Sequence, residues 1–255
     1  MDIESEYGTT RVNACGPVDG PPVVLLPGGG ATSTVWFANV AALARKNRVF
    51  AIDPIGEPGR SVIGPKPIRT VDDLMSWLDG TLDGLQVTQG SVVGHGYGAT
   101  MALAYALYRP ERVDTLALLD PPSCFVGMRL AYLLHAFPIL VRPTRARMRS
   151  LIEWETHTAP LDADWLDLTE RGTDFPSVRP VVPRRPKADQ WATLTADVTV
   201  ILAGESKVHN SSRAAAAVGK VLSNARTVVL DDCSHHMLPM RPAGELDAAL
   251  LSSLG

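Results

Sequence analysis

Residues 22–26, PVVLL, form an unbroken apolar run of strand length, entered through Pro21 and closed by Pro27 and the three glycines 28–30. A strand without polar alternation must be covered on both faces, so this segment predicts the centre of a sheet sandwiched between helices. Similar runs recur at 48–52, 91–93, 113–119, 198–202 and 226–230. Between them apolar residues fall at helical spacing, over 33–45, 71–85, 97–108, 211–222 and 243–254. This alternation predicts a mostly parallel α/β sheet with crossover helices, and the two opening segments, near 11–14, read as antiparallel edge strands.

The rhythm stops between 122 and 190, where helical stretches and proline-rich joins carry no buried strand. The expected organisation is a core of residues 1–121 and 191–255, interrupted by a helical insertion over 122–190. A chain of 255 residues is long enough for one such domain with a large core. The net charge is −3 and basic residues are scattered, which gives no reason to expect a nucleic acid or a membrane as partner. Cys15, Cys124 and Cys233 are far apart and read as reduced thiols rather than a disulfide framework or a zinc site. The polar start and short apolar runs predict a cytoplasmic protein. No ligand cluster or phosphate-binding motif appears, so neither a metal nor an organic cofactor is expected.

The stretch 91–101, SVVGHGYGATM, reads as strand, five-residue turn and helix. Gly94 and Gly98 suit positions where a side chain would strike the neighbouring strand or helix. Between them lies Gly96, at the apex, where a strained backbone presents one residue at the carboxyl edge of the sheet.

Several other stretches accompany this turn in a fixed order: 25–33 (LLPGGGATS), 51–61 (AIDPIGEPGRS), 92–99 (VVGHGYGA), 106–122 (ALYRPERVDTLALLDPP) and 233–239 (CSHHMLP). Together they resemble the α/β-hydrolase superfamily, and within it the bacterial carboxylesterases. The resemblance implies the α/β-hydrolase fold, a mostly parallel sheet flanked by helices, with 122–190 as an inserted helical cap. It also implies a nucleophilic serine at the apex of the turn, within G-x-S-x-G, where this chain carries Gly96.

By the same resemblance His235 is the general base, with its neighbour His236 as the alternative. The acid expected after the strand ending near Leu202 is missing, and Lys207 stands in its place. Asp120, after the strand that follows the turn, is the candidate acid, with Glu205 as the alternative. The backbone amides of Gly29 and Tyr97 would form the oxyanion hole. Pro27-Gly28 replaces the His-Gly with which relatives open that loop. Leu130, Leu133, Leu134, Phe137, Leu140 and Trp154 would line an apolar pocket or form the face on which the cap packs.

Glycine cannot form an acyl-enzyme, and neither Thr100, Ser123 nor Cys124 occupies the apex. The expected ligand is a small apolar, ester-like molecule. Three readings of the chain follow. It is an esterase that has lost its nucleophile, an enzyme using His235 as a base without a covalent step, or a non-catalytic binding protein.

Overall fold

The computed structural model describes residues 1–176 and 179–254; Ser177 and Val178 of the expected insertion, and Gly255, lie outside the described residues. The sheet begins with β1 (Asp2–Ser5), β2 (Gly8–Cys15), β3 (Pro22–Leu26), β4 (Arg48–Ile52) and β5 (Val62–Ile63). It continues with β6 (Gly90–His95), β7 (Val113–Leu119), β8 (Asp197–Ala203) and β9 (Arg226–Leu230). The strand order is β1-β2-β4-β3-β6-β7-β8-β9, with β5 paired to β2. β1, β2 and β5 pair antiparallel, as does β2 with β4, and all later pairings are parallel. The loops after β3, β6, β7, β8 and β9 therefore gather at one carboxyl edge, where open α/β sheets place their sites.

Each central strand has two buried faces. Val24 and Leu26 of β3 pack into one core, and Val23 and Leu25 into the other. The first core is closed by α2 (Val71–Gly84) and α3 (Tyr97–Tyr108), the second by α1 (Val40–Leu43) and α9 (Ala243–Leu254). The helix expected over 33–45 is split. Residues Ser33–Ala38 form a tighter 3-10 turn, and α1 follows it. At the break the Asn39 amide donates to Asp247 of α9 (2.8 Å), while the apolar face carrying Val35, Trp36 and Leu43 stays buried. Leu116 of β7 is fully buried. Leu116→Ala is expected to lower unfolding free energy by about 2–5 kcal/mol in chemical denaturation, the usual range for such a truncation.

Between β7 and β8 come α4 (Leu130–Val141), α5 (Arg145–Glu155), α6 (Ala163–Gly172) and α7 (Ala188–Trp191). After β8 the chain forms α8 (Ser211–Val221). The side chains expected to line a pocket or a packing face do neither in α4. Leu130, Leu133, Leu134, Phe137 and Leu140 are all exposed. Sequence spacing put them on one stripe of a helix, and that stripe faces outward.

Candidate functional site

The apex of the strand–turn–helix is Gly96, between the end of β6 and the start of α3, with φ 53° and ψ −118°. Its amide donates to Leu119 O (2.9 Å), tying the turn to the end of β7. The flanking glycines are required by contact. A Cβ on Gly94 would lie 2.3 Å from Gly98 O, and one on Gly98 would lie 2.3 Å from Leu26 O. A Cβ built on Gly96 meets a different neighbour. It would stand 3.1 Å from His235 Nε2 and 3.2 Å from His235 Cε1. A side chain at the apex is thus aimed at an imidazole.

His235 opens a 3-10 turn (His235–Met237) after β9. Its Nδ1 donates to Asp120 Oδ2 at 2.7 Å, which leaves Nε2 of the neutral ring unprotonated and facing Gly96. Asp120 follows β7 in a left-handed backbone conformation, φ 42°. Its carboxylate is fully buried and accepts from Ser206 Oγ (2.7 Å) and the Ala203 amide (3.2 Å). His209 Nε2 approaches Asp120 Oδ1 to 3.1 Å but without the alignment of a good hydrogen bond. Burial alone would raise the Asp120 carboxyl; the close approach of His209 and the hydrogen bond and charge of His235 outweigh it and hold the group far below the usual carboxylate range. Burial likewise depresses His235, but its hydrogen bond to Asp120 and the charges of Asp120 and Glu155 dominate, so its pKa is raised.

His95 supports this arrangement from below. Its Nε2 donates to His235 O (3.0 Å), and the two rings lie with centroids 4.7 Å apart. Burial, then repulsion from His235, pushes the His95 pKa down to about 3, so it stays neutral. Its Nδ1 lies against Gly28, where a Cβ would come within 2.9 Å.

The glycine loop lies across the turn from Tyr97. A Cβ on Gly29 would be 3.5 Å from Tyr97 Cβ, so the two residues expected to supply the amide donors lie side by side. The Gly30 amide is engaged by Glu57 Oε2 (2.7 Å) and the Ala31 amide by Gly28 O (3.1 Å), which fixes the loop. The Tyr97 hydroxyl donates to Val181 O (2.7 Å) in the segment between α6 and α7.

The alternatives fall elsewhere. Glu205 is exposed, its backbone amide bonds Cys233 O (2.9 Å), and its carboxylate bonds neither histidine among the described residues. His236 pairs with Glu155 rather than Asp120 (3.2 Å). Lys207, standing where relatives carry their acid, directs Nζ to Trp154 O and over the Trp154 ring (4.6 Å).

Glu155 is the residue sequence reasoning missed. It ends α5, is fully buried, and accepts from five donors. These are Ser234 Oγ (2.8 Å), the His235 amide (3.0 Å), the His236 amide (2.9 Å), His236 Nδ1 (3.2 Å) and the Lys207 amide (3.2 Å). Burial opposes its charge, but the His236 contacts and the His235 charge keep it ionised, below the usual carboxylate range. No local motif marks a lone glutamate in the insertion; only the fold brings it to the histidine loop. Ser206 and His209 carried a faint signal, since both sit in the loop after β8 where an acid was sought.

Sheet order and the gathering of loops at one carboxyl edge are those of the α/β-hydrolase fold. The match to the alpha/beta hydrolase family model over residues 23–249 shows that the chain belongs to that family. Among its relatives are two Bacillus subtilis proteins. One, named uncharacterized carboxylesterase nap, is 35% identical over 125 residues, 49% of this chain and 41% of the relative. The other, carboxylesterase YbfK, is 30% identical over 125 residues, 49% of this chain and 42% of the relative. The aligned part of this chain thus spans about two fifths of each relative. The crystal structure of carboxylesterase CesB (YbfK) superposes with a TM-score of 0.92 at 20% identity, covering 100% of this chain and 90% of that one, a likeness of fold.

Proposed function

We propose that this chain is a carboxylesterase-type hydrolase for a small apolar ester, complete except for its nucleophile, with Gly96 at the serine position of the elbow. The observation that carries this reading is the aim of the missing side chain: Cβ of residue 96 would point at His235 Nε2, whose Nδ1 is already bonded to Asp120. In Gly96→Ser the introduced hydroxyl would give its proton to His235 Nε2 as its oxygen attacks the ester carbonyl. The amides of Gly29 and Tyr97 would take the negative charge on the carbonyl oxygen. His235 would then hand the proton to the departing alcohol, and water activated by the same ring would release the acid. Residues 122–190 act as a cap over this edge, joined to it through Glu155 of α5 and through Val181 O, which accepts from the Tyr97 hydroxyl.

Among the described residues no other side chain takes the role of the serine. Thr100 Oγ1 stays near Gly96 O (3.5 Å), inside the helix. Burial pushes the Cys124 thiol up to about 11, so it is not a thiolate at neutral pH. The chain as it stands should therefore turn over esters on the order of a million-fold more slowly than a complete triad. A second reading is favoured by the intact His235–Asp120 pair, which remains a buried general base without a serine. It predicts a reaction that His235→Ala abolishes and Gly96→Ser does not improve.

The pH dependence has a definite sign. His235 acts as base only when neutral, and its pKa is raised above the ordinary 6.5. In Gly96→Ser, kcat/KM should rise with pH through a midpoint above 6.5, since this ratio reports groups of the free enzyme. Initial rates with an aryl ester across a pH series check this; a midpoint at or below 6.5 contradicts the His235–Asp120 pairing.

A further inference from the structure

We propose that α4 is a surface-docking helix that seats this protein on anionic lipid. The twelve residues of α4 include none that is buried. Leu130, Leu133, Leu134, Phe137, Leu140 and Val141 are 40–77% exposed, a third of the eighteen large apolar side chains exposed among the described residues. At 100° per residue these six fall on one arc of about 120°, while the half-buried Tyr132 and Ile139 lie on the opposite side and Ala136 beside the arc's edge. The helix thus packs by its narrow inner edge and offers its apolar stripe outward. Large contiguous patches of this kind mark interaction sites rather than ordinary surface.

The inner edge faces the site. Tyr132 lies against His236 (centroids 6.4 Å), and His135 stacks on Trp154 (3.8 Å). Whatever covers the stripe therefore sits directly over the cap beside the histidine loop.

Charge selects the occupant. The stripe is bracketed by Arg129 and Arg142, and Arg145, Arg147 and Arg149 follow within the next seven residues. Arg145 and Arg149 have carboxylate partners, whereas Arg129, Arg142 and Arg147 have none among the described residues. A two-fold contact between copies through α4 would bring Arg129 and Arg142 against each other or against themselves, like charges facing in either direction. An anionic lipid surface accepts the same layout without repulsion, with leucines and phenylalanine among the acyl chains and guanidinium groups at headgroup level. At about 1.5 Å per residue the helix is roughly 18 Å long, too short to span a hydrocarbon core of about 30 Å. No helix among the described residues is long and apolar enough to cross a membrane. The helix would lie in the interface. Scattered basic residues concealed this in the sequence, because only the fold shows that the stripe between two of them faces outward.

The test is co-sedimentation of the full chain with vesicles of phosphatidylcholine alone and of phosphatidylcholine with phosphatidylglycerol. A Phe137→Trp variant reports depth through its emission. The expected result is binding at least about tenfold stronger to the anionic vesicles, weakened by salt, with a blue shift of the introduced indole. The double variant Phe137→Glu with Leu140→Glu should lose it while keeping the parent's circular dichroism and melting temperature. Three results overturn the proposal. They are no binding of the folded chain to anionic vesicles, undiminished binding by the double variant, and a dimer in sedimentation that the double variant abolishes. The last identifies a second copy as the occupant. None of these readouts depends on ester turnover.

Discussion

Gly96→Ser is expected to turn this chain into an esterase, with short-chain aryl esters cleaved about a thousand-fold or more faster than by the parent. The magnitude follows from what a nucleophile is worth. Removing one from a triad costs on the order of a million-fold, so recovery of even a thousandth of that is plain in a colorimetric assay. Full recovery is not expected, for two structural reasons. A Cβ at residue 96 comes within 3.1 Å of His235 Nε2, so the ring must retreat by a few tenths of an ångström before the hydroxyl is well placed. Serine must also adopt φ near 53°, a left-handed conformation costing about 1–3 kcal/mol. The variant should accordingly be active and somewhat less stable. Adding His235→Ala to it should return the rate to the parent's, whereas adding Glu205→Ala should leave it unchanged.

The second large effect is expected at Glu155. Glu155→Ala removes the acceptor for Ser234, His235, His236 and Lys207 at once. Leaving several buried donors unpartnered costs about 3–5 kcal/mol, at about 1–3 kcal/mol for each, which thermal and chemical denaturation will register. Glu155→Gln keeps the volume and removes the charge, so it is the informative variant if the alanine form fails to fold. Its effect on catalysis is separable from a loss of stability. The Glu155 charge helps to raise the His235 pKa. Without it the neutral, active imidazole persists to lower pH, and the acid limb measured in the Gly96→Ser background should move downward. A merely structural role would lower the rate and leave that midpoint in place.

What could be read in the sequence was whatever the backbone dictates locally. Largely apolar runs of strand length located β3, β4, β7 and β9 to the residue; the last four positions of β3, β4 and β7 are buried on both faces and apolar throughout, whereas β9, at the edge of the sheet, buries only Leu230 fully. Gly94 and Gly98 marked the turn because contacts under 3 Å forbid any side chain there. Asp120 and His235 were picked out only through the resemblance to a family, and the fold brings the two within 2.7 Å of each other. β5 was not foreseen and β1 was expected only as one of two opening edge strands without bounds of its own, since their residues are half exposed or exposed and carry little apolar pattern. Glu155 was invisible for the converse reason. It meets His235 across eighty residues of chain, and no periodicity in an insertion encodes that distance. The stripe on α4 was legible as a stripe, but spacing alone does not say which side of a helix the protein covers.

Covalent capture at residue 96 tests the central claim most directly. The parent and Gly96→Ser would each be treated with a fluorophosphonate, digested, and analysed by peptide mass spectrometry. The predicted result is a stoichiometric phosphonyl adduct on residue 96 in the variant alone, formed at least about tenfold more slowly when His235 is also replaced by alanine. A folded variant that takes no label there, or labels equally fast without His235, would contradict the assignment of Gly96 as the nucleophile position of an otherwise assembled site.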